Sequence, residues 1–245
     1  MPTVLNALEL TGRARTHVRE APAPRCTLQP EALDALQALR AAAAHVGIDA
    51  QPVSSFRAFD HQLAIWNGKF SGTRRVLDRD SRALSVEGLS EAERVAAILV
   101  WSALPGASRH HWGTDCDLID RAALPAGAPV ELLSADFTPV GRFGRLAAWL
   151  DEHATEYGFF RPYDQDRGGV LPEPWHLSYA PLAEPALAAM SPELLRTALN
   201  CAPLLGYASV TEQLPQLFER YVARVAEAPP TARLARALNR ATTPA

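Results

Sequence analysis

Residues 108–117 have the sequence SRHHWGTDCD, the densest set of potential metal ligands in the 245-residue chain. A Gly-Thr pair in the middle is typical of a turn that reverses the chain. If the residues after this turn form a strand, Asp115 and Asp117 share one face and Cys116 points to the other, which disfavours Cys116 as a ligand. The stretch therefore predicts a turn and a strand that bring His110 and Asp117 together.

A second stretch, Glu173-Pro174-Trp175-His176, can complete such a site. A catalytic zinc ion is held by three protein ligands and keeps one position open, and His176 can supply the third ligand. Pro174 favours an extended Glu173, so Glu173 and His176 reach one metal only if the backbone turns between them. We expect His110, Asp117 and His176 to bind one Zn²⁺ and Glu173 to act as the base, which is the chemistry of amide hydrolysis.

A third stretch, Ser54-Ser55-Phe56-Arg57 followed by Gln62, precedes these two. The three stretches, in this order, resemble the M15 zinc peptidases, the VanY-like D-alanyl-D-alanine carboxypeptidases and dipeptidases. The resemblance spans roughly residues 26–182. It implies a Hedgehog/DD-peptidase fold, one Zn²⁺ per chain and the following roles: ligands His110, Asp117 and His176, catalytic base Glu173, substrate-binding and transition-state arginine Arg57, and substrate-pocket residues Gln62 and Ser108.

The chain departs from the VanY-like pattern at Asp115, where a small apolar residue is usual. On a strand, Asp115 faces the same side as the predicted ligand Asp117. It is therefore a candidate for the site, either orienting a metal ligand or binding an amine of the substrate.

The element pattern predicts an α+β fold with a small antiparallel sheet flanked by helices and a helical C-terminal extension. We expect a catalytic domain at 1–190, with its core at 26–182, and an extension at 191–245 packed on it. Three finer predictions are an irregular lead-in at 1–25, a helix at 59–67 that stops at Gly68, and a surface loop at 69–88.

Composition and charge exclude several classes of protein. A formal net charge of −3 argues against a protein that binds nucleic acid through a basic surface. The longest apolar run, Val95–Trp101, is far shorter than the roughly 20 residues of a membrane-spanning helix. Met1–Glu9 does not show the pattern of a signal peptide, so we expect a cytoplasmic protein, with the periplasm as the alternative.

The predicted partner is a peptide derived from peptidoglycan, and the predicted reaction is removal of the terminal D-Ala from a D-Ala-D-Ala end. Two alternatives remain within the same chemistry: an L,D-carboxypeptidase, or an endopeptidase that acts on cross-linked muropeptides. A third alternative is a binding module that keeps the fold and the zinc but does not hydrolyse. Glu173 and Arg57 argue against this last alternative, because binding alone needs neither a base nor an arginine for the transition state.

Overall fold

The computed structural model describes residues 4–200 and 202–241. The strands are β1 Arg19–Pro22, β2 Arg25–Leu28, β3 Ala50–Ser54, β4 Val76–Leu77, β5 Ala83–Leu84, β6 Asp115–Asp120, β7 Phe159–Phe160 and β8 His176–Tyr179. The α-helices are α1 Ala7–Leu10, α2 Pro30–His45, α3 Phe59–Phe70, α4 Glu91–Leu99, α5 Gly144–His153, α6 Ala180–Ala188, α7 Pro192–Leu199, α8 Tyr207–Glu212, α9 Leu214–Phe218 and α10 Pro230–Ala241. Together they confirm the predicted α+β class. No helix among the described residues combines the length and the apolar character needed to cross a membrane.

The central element is a four-stranded antiparallel sheet with the order β3-β6-β8-β7. Its register places Asp117 on β6 between Ser54 on β3 and His176 on β8. Two residues earlier on β6, Asp115 lies opposite Ser178. Because directly paired residues point to the same face of a sheet, this register gathers the polar side chains of three strands on one face.

The other face of the sheet packs on helices and forms the main apolar core. Cys116 and Leu118 from β6 and Leu177 from β8 belong to one buried cluster with Leu36 of α2 and Leu146 of α5. The alternation predicted for β6 is therefore confirmed, since Cys116 points into the core and away from Asp117.

A second apolar cluster joins α3 and α4 to the C-terminal helices. Trp66 of α3 and Ile98 of α4 pack with Leu195 of α7 and Leu214 of α9. Helices after residue 190 thus cover the side of the molecule that α3 and α4 form. The division of the chain into a domain at 1–190 and an extension at 191–245 stays a prediction.

Three local predictions are wrong. The lead-in at 1–25 is not irregular, because Asn6 caps α1 through a capping box and β1 pairs with β2. Helix α3 does not stop at Gly68 but continues to Phe70, whose ring is buried in the second cluster; that burial outweighs the roughly 1 kcal/mol that an interior glycine costs.

The segment 69–88, predicted as a surface loop, contains a short hairpin of β4 and β5. Val76 and Val86 from this segment are buried in the second cluster. Strands of two residues are too short to show an alternation of apolar and polar residues, so this hairpin could not be predicted from a segment rich in Arg, Asp and Ser.

Gly113 provides a test of how tightly the turn before β6 is packed. Gly113 and Gly127 both have a positive φ, of 64° and 75°. A Cβ on Gly113 would collide with Val18 and lie 3.2 Å from the backbone nitrogen of Gln29, whereas a Cβ on Gly127 would meet nothing within 4 Å.

We expect Gly127→Ala to lower the free energy of unfolding by about 1–2 kcal/mol, the cost of a left-handed alanine. Gly113→Ala should cost roughly 1–3 kcal/mol more, because overpacking adds to the same backbone strain. Urea unfolding followed by circular dichroism measures both, and equal losses in the two variants would contradict the packing described for Gly113.

Candidate metal centre

Two histidines and one aspartate converge on the polar face of the sheet. Potential ligand atoms of His110, Asp117 and His176 all lie within 4.8 Å of one another. Nε2 of His110 is 3.4 Å from Oδ2 of Asp117, and Nδ1 of His176 is 3.2 Å from Oδ1 of Asp117. All three residues are buried. The three predicted ligands, spread over 67 residues of sequence, therefore meet at one point.

Each of these side chains is placed by a different local element. His110 lies in a 3-10 turn at Arg109–Trp112, which ends at Gly113 in the left-handed conformation. Asp117 is in the middle of β6, and His176 is the first residue of β8. The backbone nitrogen of Arg57 donates to the carbonyl of His110 at 3.1 Å, which ties the turn to the chain that follows β3.

The residues present fit a divalent metal ion. Oδ1 of Asp117 is buried and has no hydrogen-bond partner among the described residues, although it faces Nδ1 of His176. Two imidazole nitrogens and a carboxylate form a donor set suited to zinc, with room for a further ligand. Such an ion would also satisfy the buried Oδ1 of Asp117, which otherwise lacks a hydrogen-bond partner among the described residues.

The charges around His176 also favour a bound cation. Burial opposes a charge on its imidazole, but the carboxylates of Asp115, Asp117 and Glu173 outweigh burial and raise its pKa well above the usual range. Burial also opposes a charge on Asp117, yet the two histidines hold the pKa of this carboxyl well below its usual range. The site thus attracts positive charge at the position where the ligand atoms meet.

Glu173 lies beside the three ligands, at the position expected for a base. Its Oε2 is 3.3 Å from Nδ1 of His176. The backbone nitrogen of His176 donates to the carbonyl of Glu173 at 3.0 Å, so the chain turns between the two residues as the sequence required. Two further hydrogen bonds hold this turn: the nitrogen of Glu173 donates to the carbonyl of Tyr163 at 3.0 Å, and Nε of Arg161 donates to the carbonyl of Pro174 at 2.8 Å.

Asp115 is buried behind His176 and is not part of the cleft. Its Oδ2 lies 2.9 Å from Nε2 of His176 and accepts from Nε of Arg109 at 2.8 Å, while its Oδ1 accepts from Oγ of Ser178 at 2.9 Å. The side chain is 0% exposed. A proton on Nε2 of His176 bonded to Asp115 leaves Nδ1 free for a metal. The geometry favours the orienting role for Asp115 and speaks against the substrate-binding alternative.

Arg57 lines the cleft, and its guanidinium is held by neutral partners. Nη1 donates to Oε1 of Gln62 at 2.8 Å and Nη2 donates to Oγ of Ser54 at 3.0 Å. Gln62 in turn donates from Nε2 to the carbonyl of Ala103 at 2.7 Å. The structure therefore brings Arg57 to the cleft and fixes its direction.

Gln62 and Ser108, expected in the substrate pocket, do not line the cleft. Gln62 is 0% exposed, and its side chain accepts a hydrogen bond from Arg57. Ser108 is 2% exposed, and its carbonyl accepts a hydrogen bond from the backbone nitrogen of His111 at the start of the 3-10 turn. Both side chains are therefore buried behind the residues that line the cleft.

His111 is a structural residue of the site that the motifs did not single out. Its Nδ1 donates to the carbonyl of Arg57 at 2.6 Å, and its Nε2 accepts from the backbone nitrogen of Gly106 at 3.0 Å. Burial lowers the pKa of His111 to about 3, so the ring stays neutral and can donate at one nitrogen while accepting at the other. His111 thereby joins three segments around the ligands.

The cleft itself has a volume of about 300 Å³. Besides the ligands, Glu173 and Arg57, it is lined by Trp175 of the second motif and by residues that sequence reasoning missed because their segments carry no motif. The missed residues are Ile65 and Lys69 of α3, Leu77, Trp101, Ser102, Ala103, Leu132, Tyr163 and Val170. Burial raises the pKa of Tyr163 to about 12, so its hydroxyl keeps its proton.

The role of Asp115 can be tested by metal affinity. We expect Asp115→Asn to weaken binding of a divalent metal by roughly 10- to 100-fold, because the amide holds the His176 imidazole less firmly and makes it less basic. Competition with a chromophoric zinc chelator measures the affinity. Asp120→Asn is the matched control and should bind metal like the wild type, because Asp120 lies on the same strand but accepts from the backbone nitrogens of Asp49 and Ala122, outside the site. Unchanged affinity in Asp115→Asn would contradict the orienting role.

Comparisons with known proteins identify relatives of this chain. An uncharacterized protein of Haemophilus influenzae is 37% identical over 121 residues, which cover 49% of this chain and 92% of that protein. A D-alanyl-D-alanine carboxypeptidase of Enterococcus faecalis is 27% identical over 109 residues, 43% of this chain and 35% of that protein.

The fold has a match among solved structures. VanYB in complex with D-alanine-D-alanine aligns with a TM-score of 0.50 at 20% sequence identity, covering 76% of this chain and 89% of that chain. The family profile described as VanY, D-alanyl-D-alanine carboxypeptidase, matches residues 25–182, well over half of the chain. This protein therefore belongs to the VanY family of D-alanyl-D-alanine carboxypeptidases.

Proposed function

We propose that this chain is a zinc-dependent metallopeptidase that removes the C-terminal D-Ala from D-Ala-D-Ala-ended peptides of peptidoglycan. The single observation that carries the proposal is the meeting of His110, Asp117 and His176 beside the carboxylate of Glu173. Membership of the VanY family supports the reaction, and the donor set supports zinc as the metal.

Three residues would hold the ion and two would act on the substrate. Zinc bound by His110, Asp117 and His176 supplies a Lewis acid, which polarises a carbonyl and lowers the pKa of water. Glu173 accepts the proton of the attacking water and delivers it to the nitrogen of the departing D-Ala. Arg57 donates hydrogen bonds to the oxygen that becomes negative as the carbonyl is attacked.

The surroundings of these groups serve the same reaction. Gln62 and Ser54 hold Arg57 in one direction before the substrate arrives, so little reorganisation is needed in the transition state. The indole of Trp175 and the ring of Tyr163 form part of the cleft wall. Apolar walls exclude water and strengthen the electrostatic interactions inside.

Two other substrates use the same chemistry. An L,D-carboxypeptidase would release the terminal residue of a tetrapeptide, and an endopeptidase would cut cross-linked muropeptides. Incubation of the pure protein with pentapeptide, tetrapeptide and cross-linked muropeptides separates these activities by product mass. Loss of one D-Ala from the pentapeptide alone is the expected result, and cleavage confined to the cross-linked substrate would overturn the proposal.

The cellular compartment is proposed separately from the reaction. A cytoplasmic protein would act on wall fragments that are being recycled, whereas a periplasmic one would act on the wall itself. We propose the cytoplasm as the compartment, with the periplasm as the alternative. Fractionation of cells that express the native gene tests this, and recovery from the periplasm would contradict it.

Removal of the base separates catalysis from metal binding. We expect Glu173→Ala to retain one zinc ion per chain and to lose about 10³-fold in kcat, because proton transfer then falls to water. Product release from a D-Ala-D-Ala-ended peptide gives kcat, and metal analysis gives the zinc content. Glu156→Ala removes a carboxylate outside the cleft and should behave as the wild type. Hydrolysis by Glu173→Ala at the wild-type rate would show that another group is the base.

A further inference from the structure

Lys69 is the only lysine of the chain, and it is one of the residues that line the catalytic cleft. It lies near the C-terminal end of α3, and its Nζ donates to Oγ of Ser102 at 2.6 Å. Ser102 also lines the cleft. The ammonium is therefore directed to one place on the cleft wall by a neutral hydroxyl.

The helix itself links Lys69 to the arginine of the site. Gln62 and Lys69 are seven residues apart on α3, close to two full turns, so both lie on the helix face turned to the site. Gln62 holds Arg57, and Ile65, between them on the same face, lines the cleft. One rigid helix thus sets the positions of both cations.

Neither cation has a carboxylate partner in the part of the chain that the structure describes. Among residues 4–200 and 202–241, no carboxylate oxygen lies within 4.0 Å of Lys69 or of the guanidinium of Arg57, whose hydrogen-bond acceptors are Gln62 and Ser54. Burial lowers the pKa of Lys69 to about 8; the charge of Glu173 raises it, and Arg57 and Arg74 lower it further. Neither cation is thus paired directly with a carboxylate, and an anionic group of a ligand would supply such a partner.

The proposed substrate carries one such group. In a peptide that ends in D-Ala-D-Ala, the terminal carboxylate lies one residue, or about 3.8 Å along the chain, beyond the carbonyl that is cleaved. If Arg57 and Glu173 act on that carbonyl, a second cation in the same cleft of about 300 Å³ is available for the carboxylate.

We propose that Lys69 binds the C-terminal carboxylate of the D-Ala that departs, while Arg57 serves the oxyanion. This inference rests on the proposed function and deepens it. It assigns a specificity-determining residue, because a substrate whose C-terminus is amidated or extended would have no carboxylate at the position where Lys69 binds one. The protein would then act as a carboxypeptidase and not as an endopeptidase.

The test compares a free C-terminus with a capped one. Wild type and Lys69→Met are assayed on a peptide that ends in D-Ala-D-Ala and on the same peptide with a C-terminal amide. We expect Lys69→Met to lower kcat/KM for the free acid by roughly 10- to 100-fold, the usual loss of a charge-assisted hydrogen bond, and to leave the amide within about threefold. Lys69→Arg, which keeps the charge, should recover part of the loss on the free acid.

Controls separate this effect from a change in net charge or in folding. Arg25→Met removes one positive charge from the exposed surface and should match the wild type on both peptides. Circular dichroism reports whether each variant is folded. An equal loss on both peptides, or no loss on either, would overturn the assignment of Lys69.

A binding measurement keeps the inference independent of turnover. Calorimetry on the zinc-loaded Glu173→Ala protein gives the affinity for the free acid and for the amide, with and without Lys69→Met. We expect the second substitution to weaken binding of the free acid at least about tenfold and binding of the amide much less. Equal weakening, or none, would overturn the role of Lys69 even if no peptide were hydrolysed. Failure of hydrolysis with the expected binding pattern would instead count against the proposed function.

Discussion

The antiparallel register between β6 and β8 is the constraint on which the site depends. It sets Asp117 opposite His176 and Asp115 opposite Ser178, so one imidazole lies between two carboxylates, with Asp117 at Nδ1 and Asp115 at Nε2. A shift of one residue would turn the aspartates toward the apolar core and bring Cys116 to the polar face. The register is fixed because Cys116 and Leu177 must be buried, and burial of apolar side chains therefore determines where the metal ligands lie.

The same arrangement concentrates negative charge in the protein interior. Asp115, Asp117 and Glu173 all lie within 3.3 Å of a ring nitrogen of His176, and among the described residues Arg109 is the guanidinium that pairs with Asp115. Buried carboxylates are costly unless cations and hydrogen bonds compensate them. A divalent ion held by the three ligands would compensate Asp117 at Oδ1, which has no hydrogen-bond partner among the described residues, while Arg109 compensates Asp115 from the opposite side. The site is therefore built for a cation, and its stability and its metal affinity are coupled.

The ligands could be predicted from sequence because their chemistry is local: His110 and Asp117 flank one turn, and His176 follows a glutamate and a proline. The role of Gln62 could not, since its contact with Arg57 depends on the helical phase of α3 and on the carbonyl of Ala103. The position of Lys69 in the cleft could not be predicted for a similar reason. Gly68 suggested a helix end just before it, whereas burial of Phe70 carries the helix on and places Lys69 on the face turned to the cleft. Such positions follow from packing between distant segments, which no short motif encodes.

The two cations of the cleft differ in how they are held, and the difference suits different tasks. Arg57 is fixed by two hydrogen bonds and presents a planar donor group, as required where charge develops only in the transition state. Among the described residues, Lys69 donates a hydrogen bond to the neutral hydroxyl of Ser102 from the end of a flexible stem, which suits a group that must follow a free carboxylate as the substrate enters. Recognition of the carboxylate by Lys69 would use binding energy from a part of the substrate that does not react, and would position the scissile carbonyl between Arg57 and Glu173. Helix α3 would then set the distance between the group that binds the carboxylate and the group that acts on the scissile carbonyl, since Lys69 and the Gln62 that holds Arg57 lie on one face of that helix.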